Sequence, residues 1–161
     1  MSALPRFPTS REDRYLEDYV EGAVYEFGSI PVSEDDIVEF GKQYDPQYLH
    51  VDREAAQQGP FGGLIASGWH TSALVMRLFV EHFLPGPASL SSPGIDDLRW
   101  SAPVRPGDVL RIRVTVLEVR ESKSRPDRGI VRSRIEAFNQ RDERVATVTG
   151  ANFIARRTPP P

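Results

Sequence analysis

Leu64–Leu84 constrains this chain more than any other stretch. Ile65, Trp69, Ser72/Ala73, Met76, Phe79/Val80 and Phe83 recur every three or four residues, and Leu74, Val75 and Leu78 widen the stripe. That spacing predicts a helix, which at 1.5 Å per residue would run about 30 Å, the width of a small domain. Apolar over most of its circumference, it is expected to be buried rather than to lie on a surface. Gly59-Pro60-Phe61-Gly62-Gly63 precedes it as a loop, and Pro85-Gly86-Pro87 ends it. The rest of the chain must then supply its cover.

The residues that follow read as that cover. In Val109–Val119, Leu110, Ile112, Val114 and Val116 alternate with Arg111, Arg113 and Thr115, as in an antiparallel strand with one face in the core. Gly129–Asn139, with Val131, Ser133, Ile135 and Ala137 on one face, and Arg144–Ile154 predict two more strands; Ile95–Trp100 predicts a shorter one closed by Pro103. Upstream, Gly22–Gly28 reads as a short strand. Ser33-Glu34-Asp35-Asp36 opens a helix, with Ser33 as cap and three acids at the positive end of the dipole. That helix is expected to stop before Asp45-Pro46, because a residue preceding proline is pushed out of the α region. The predicted class is α+β, an antiparallel sheet wrapped around one long central helix. Residues 15–155 would form a single domain, with Met1–Arg14 a flexible lead and Arg156–Pro161 a proline-rich tail.

Composition removes several function classes. With no cysteine, a disulfide scaffold, a thiolate metal site and a Cys nucleophile are excluded. Twenty Lys+Arg against 23 Asp+Glu leave no basic excess for general nucleic-acid binding. The N-terminal residues lack the apolar run of a secretory signal, and no stretch approaches a bilayer span. No membrane partner and a cytoplasmic location are therefore expected.

Three histidines are available to any imidazole chemistry: His50, His70 and His82. His82 lies at the expected end of the long helix, where a cation suits the dipole. His70 follows Trp69 and reads either as a packed core imidazole or as a functional group. His50 lies five residues beyond Asp45 in Tyr44-Asp45-Pro46-Gln47-Tyr48-Leu49-His50-Val51-Asp52, a proline-containing segment read as a loop. An acid and an imidazole converging from one loop can grip a single water, although Asp-Pro is also a common turn opening. In Gly62-Gly63-Leu64-Ile65-Ala66-Ser67-Gly68-Trp69-His70 small residues surround a helix start. Free backbone N–H groups there could receive an anionic oxygen, or the glycines could serve only loop geometry and close packing.

The run from Tyr44 to Leu84 resembles the MaoC-like dehydratase and (R)-specific enoyl-CoA hydratase family of hotdog-fold proteins. The family signature, Asp, any residue, Asn, Pro, an aliphatic residue, His, any residue, Asp, stands here as Asp45-Pro46-Gln47-Tyr48-Leu49-His50-Val51-Asp52. Ala55-Ala56, Phe61 and Ile65-Ala66-Ser67-Gly68 fit downstream, while Gln47 and Tyr48 depart from the pattern. The resemblance implies addition of water to a trans-2-enoyl-CoA, or its removal from an (R)-3-hydroxyacyl-CoA. It assigns Asp45 and His50 to hold and activate the water, the Gly68 N–H to polarise the thioester carbonyl, and Ser67 to support them from the same turn. It also implies a homodimer, or an assembly of dimers, with the site near the subunit boundary.

No metal or redox cofactor is expected, since the chain lacks Cys, paired His at ligand spacing and a phosphate-cradling glycine loop. Coenzyme A would come as part of the substrate. Arg77, Arg99, Arg105 and Arg111 are candidate partners for its phosphates or simply solvated surface cations. Trp69, Met76 and Phe61 are candidate pocket walls or core. Two other functions stay open: an acyl-CoA thioesterase, for which Glu81 is the only acid between Ile65 and Leu84, and a non-catalytic acyl-CoA-binding subunit.

Overall fold

The computed structural model describes residues 5–158. After a 3-10 turn at Leu16–Asp18 come β1 (Val24–Pro31), α1 (Glu34–Tyr44), α2 (Tyr48–Val51), α3 (Arg53–Gln58) and α4 (Gly68–His82). Four strands complete the chain: β2 (Ser89–Trp100), β3 (Val109–Glu121), β4 (Arg128–Phe138) and β5 (Arg144–Ala155). The strands form one sheet in the order β1-β3-β4-β5-β2, with every neighbour antiparallel. Helix α4 packs on its inner face. The predicted α+β class and the wrapped helix are what the structure contains.

Burial follows the alternation in the sequence. Leu110, Ile112, Val114 and Val116 of β3 are each at most 1% exposed, and Val131, Ser133, Ile135 and Ala137 of β4 are buried beside them. Val75, Leu78 and Phe79 of α4, with Phe83 just beyond it, fill the hollow of the sheet. Removing such apolar surface from water is the main favourable term holding helix to sheet.

Three boundaries differ from the sequence reading. Helix α4 begins at Gly68 rather than Leu64. Ser67 caps it, its Oγ accepting the Trp69 N–H at 3.2 Å. Before the cap, the Ile65 N–H donates to the Leu49 carbonyl and the Ala66 N–H to the Val104 carbonyl, which hold this segment out of the helix. Strand β2 begins at Ser89 rather than Ile95, because its pairing with β5 continues past Pro93-Gly94 through register shifts. Strand β1 likewise runs on to Pro31 through a shift between Gly28 and Ile30. Helix α4 is also less covered than its composition requires: Trp69, Met76 and Val80 are 58%, 46% and 38% exposed.

Within the segment expected as a flexible lead, Met1–Arg14, side chains from Phe7 onward contact the domain. The Phe7 ring stacks on Tyr25 at 4.3 Å, and the Arg14 guanidinium lies 3.7 Å over Phe7. Arg14 Nη1 donates to the carbonyls of His82 and Phe83 at 2.7 and 2.9 Å, and the Tyr19 hydroxyl donates to that of Phe83. A buried cation thus satisfies carbonyls that the end of α4 leaves without intrahelical partners. The tail is anchored at its start as well, with Arg156 paired to Glu17 and Glu121, and Arg157 to Asp18. Pro159-Pro160-Pro161 and Met1–Leu4 lie outside the described residues.

Candidate active site

Asp45 is the C-cap of α1, where Pro46 forces the chain out of the helix. The segment beyond, read as a loop, makes one helical turn: α2 carries His50 inward, buried, while Asp52 caps α3 by accepting the Ala55 N–H at 3.0 Å. Close packing of α1 against α2 depends on Gly41, because a Cβ there would meet His50 and Val51 at 3.0 and 2.9 Å.

The result is a tight cluster. Ser67 Oγ donates to Asp45 Oδ2 at 2.6 Å, and His50 Nε2 lies 3.3 Å from the same oxygen. Gln47 Nε2 donates to Asp45 Oδ1 at 2.7 Å, so the residue standing in place of the family's Asn holds the other carboxylate oxygen. Hydrogen bonds from Ser67 first, then Gln47, hold the Asp45 carboxyl below the usual carboxylate range. It is therefore ionised at neutral pH.

His50 Nδ1 lies 2.7 Å from the Ile65 carbonyl. A carbonyl can only accept, so Nδ1 carries a proton and Nε2 is the ring nitrogen turned toward Asp45. Nε2 and the carboxylate oxygen lie 3.3 Å apart. A water held by both would be in a geometry suited to general acid–base work.

Gly68 is the first residue of α4, and its N–H has no intrahelical acceptor. A cavity of about 280 Å³ opens beside it, lined among others by His50, Phe61, Ile65, Gly68, Thr71 and Trp100. Trp100 lies directly on Gly68: a Cβ at this position would run into the indole, whose Nε1 donates to Ser72 Oγ at 3.1 Å. An anionic oxygen placed here would face the positive end of the α4 dipole within reach of the Asp45–His50 pair.

Asp45, His50, Ser67 and Gly68 are thus brought together from two separate segments. Of the candidate cations, Arg77 pairs with Glu81, Arg99 with Asp97, and Arg111 with Asp142. Arg105 alone of the four has no ion pair among the described residues, and it lies beside Gly63 near the cavity. Phe61 lines the cavity as expected of a wall; Trp69 meets Trp100 edge-on at 5.2 Å, and Met76 faces outward along α4. His82 stacks on Phe27 and His70 on Phe40. Glu81 sits in the last turn of α4, about 20 Å along the axis from Gly68. Trp100 and Thr71 were not singled out by the sequence. Trp100 ends a strand that gives no sign of reaching a helix start more than thirty residues earlier.

Residues 18–137 match the family model described as the MaoC like domain. A solved MaoC-like dehydratase from Rhodospirillum rubrum is 42% identical and superposes with a TM-score of 0.83, covering 90% of this chain and 99% of that one. The uncharacterised protein YdeM of Bacillus subtilis is 35% identical over 130 residues, 81% of this chain and 91% of its own. A 3-hydroxybutyryl-CoA dehydratase of Methylorubrum extorquens is 32% identical over 106 residues, 65% of each chain. Solved (R)-hydratases share the architecture. The chain belongs to the MaoC-like family and has its hotdog fold.

Proposed function

We propose that this protein is a hydro-lyase that adds water to a trans-2-enoyl-CoA, or removes it from an (R)-3-hydroxyacyl-CoA. The observation that carries the reading is the Ser67–Asp45–His50 cluster set beside the uncovered N–H of Gly68. Asp45 Oδ2 and His50 Nε2 hold one water over C3 of the enoyl group. As its oxygen bonds to C3, a proton passes to the pair and electron density moves to the thioester oxygen. The Gly68 N–H and the α4 dipole stabilise that oxygen. Delivery of the proton to C2 completes the product, and dehydration is the same path reversed. Ser67 is a positioning residue, fixing the Asp45 carboxylate through its hydroxyl. The reaction calls for no cofactor beyond the coenzyme A that the substrate carries, and Arg105, which has no ion pair among the described residues, would meet its phosphates.

Trp69, Met76 and Val80 of α4 are exposed, as are Leu90, Ile95 and Trp100 of the edge strand β2, and Trp69 meets Trp100 edge-on. A second copy of the chain covers this face in the proposed form, joining β2 to β2 and enclosing the Trp100 side of the cavity. A grouped run of large exposed apolar side chains marks an association surface.

The test is hydration of crotonyl-CoA and a longer enoyl-CoA, followed by loss of the enoyl-thioester absorbance, with chiral analysis of product and a free-thiol assay on the same samples. Turnover to an (R)-3-hydroxyacyl-CoA is expected, with Asp45→Asn and His50→Ala each reducing kcat/KM by about 10²–10⁴-fold. Release of free thiol would instead indicate a thioesterase, and acyl-CoA binding without turnover a non-catalytic subunit. Either result overturns the proposal.

A further inference from the structure

Only glycine at the first position of α4 lets the ring of Trp100 approach as closely as it does. A Cβ on Gly68 would collide with the indole atoms Cδ2, Cε2 and Cε3. From there the ring reaches one turn along the helix, where Nε1 donates to Ser72 Oγ at 3.1 Å. Trp69 meets the same ring edge-on at 5.2 Å. A side chain of β2 is thus held against Gly68, Trp69 and Ser72, across the first turn of α4.

Gly68 is the weakest point of that turn. It has no Cβ and the widest backbone freedom of any residue, and its N–H has no acceptor within the helix. Ser67 fixes the residues on either side: its Oγ accepts the Trp69 N–H at 3.2 Å and its carbonyl accepts the Thr71 N–H at 3.0 Å. Neither bond involves Gly68 itself. The indole, by contrast, rests on the Gly68 backbone, on the side where a Cβ would stand.

Trp100 also lines the cavity that Gly68 and His50 share, and Ile65, Ala66, Pro103 and Val104 continue its wall. Backbone groups of that wall are already paired: the Ile65 N–H with the Leu49 carbonyl, the Ala66 N–H with the Val104 carbonyl, and the Ile65 carbonyl with His50 Nδ1. A fixed N–H from which water is kept away acts more strongly on a developing negative charge than one in bulk water. Taking the ring away would free the glycine and open its flank to solvent, and a displacement of about 1 Å in a catalytic group can cost about 10²-fold in rate.

Building on the hydro-lyase reading, we infer that Trp100 is a positioning residue for the Gly68 N–H. The indole clamps the first turn of α4 and screens it from water, so that the thioester oxygen meets a fixed, dry donor. Trp100 acts through Gly68, and the two positions are matched, because the ring fills the space that any other side chain at 68 would need.

Hydration of crotonyl-CoA by the intact protein, together with a carbonyl probe, tests the inference. Trp100→Ala is expected to lower kcat about 10–100-fold with KM changed by less than about threefold. Trp100→Phe keeps a ring on Gly68 and regains most of that loss, and Ser72→Ala, which removes only the anchor, falls between them. Gly68→Ala loses activity while the indole is present, and Gly68→Ala combined with Trp100→Ala is no worse than the poorer single variant, since one change removes what the other collides with. Butyryl-CoA labelled with carbon-13 at the thioester carbonyl cannot react, and its carbonyl stretch reports polarisation directly. Infrared difference spectra are expected to show that stretch lowered on binding to the unaltered protein and to Trp100→Phe, but not to Trp100→Ala. A kcat in Trp100→Ala within about twofold of the unaltered protein, a change in KM alone, additive losses in the double variant, or a bound carbonyl that is not lowered overturns the inference. A protein that hydrates crotonyl-CoA equally well with and without the indole retains the hydro-lyase function and loses this role for Trp100. One that hydrates nothing, yet lowers the carbonyl stretch only when the ring is present, retains the clamp and loses the reaction.

Discussion

Ser67→Ala removes one oxygen that serves two partners. Its Oγ donates to the Asp45 carboxylate at 2.6 Å and accepts the Trp69 N–H at the start of α4 at 3.2 Å. Loss of a helix N-cap costs about 1 kcal/mol. Loss of a hydrogen bond to a charged group costs about 1.5–3 kcal/mol, and since the Asp45 side chain is 17% exposed, water replaces part of it and the lower half of that range applies. The sum is about 3 kcal/mol, or roughly 6–12 °C in Tm for a domain of this size. Its pH dependence follows from Asp45, whose folded pKa lies below its unfolded value with Ser67 as the leading cause. A carboxyl depressed in this way stabilises the fold above its unfolded pKa, near 4, and loses that contribution as the pH falls through the folded pKa. The Tm gap between the two proteins is therefore widest near neutral pH and narrows in acid. In the proposed mechanism Asp45 sets the acid limb of kcat/KM, and that limb is expected to move to higher pH in the variant. Calorimetric scans across pH, with a kinetic profile, measure all three. A Tm at pH 7 within about 1 °C of the unaltered protein, too small for even a cap, refutes the reasoning; so does a gap that stays constant in acid.

Arg14→Met keeps much of the side-chain volume but leaves the His82 and Phe83 carbonyls without the donor they share. Urea unfolding is expected to show a loss of about 3 kcal/mol, and a loss below about 1 kcal/mol would mean that the N-terminal segment is not what closes the end of α4. Light scattering of the purified chain is expected to give about twice the 18.1 kDa chain mass, and Met76→Glu, placing a charge on the apolar face of α4, shifts the protein toward a single chain. A monomer at every concentration tested would remove the second copy from that face.

The repeats of apolar residues carried most of the fold. The period of two in Leu110–Val116 and Val131–Ala137, and the period of three to four in the long helix, report which side of each element must leave water, a property of local geometry. The Asp45–His50 spacing was legible for the same reason, since a short segment closed by proline keeps both groups near each other wherever it packs. What was misjudged depended on partners far away in the chain. The start of α4 is decided by Leu49 and Val104 taking the hydrogen bonds of Ile65 and Ala66. Arg14 likewise meets carbonyls nearly seventy residues on, contacts that no local pattern announces.

The sequence by itself therefore determined the elements, the inward faces and the acid–imidazole pair, because each rests on contacts within a few residues. Only the tertiary structure decided that Ser67 grips Asp45, that Gln47 holds its other oxygen, and that Trp100 lies on Gly68. Those positions follow from how α1, α4 and β2 settle against one another. That docking is a balance of many small packing terms summed over the whole core, and no single segment of the chain encodes it.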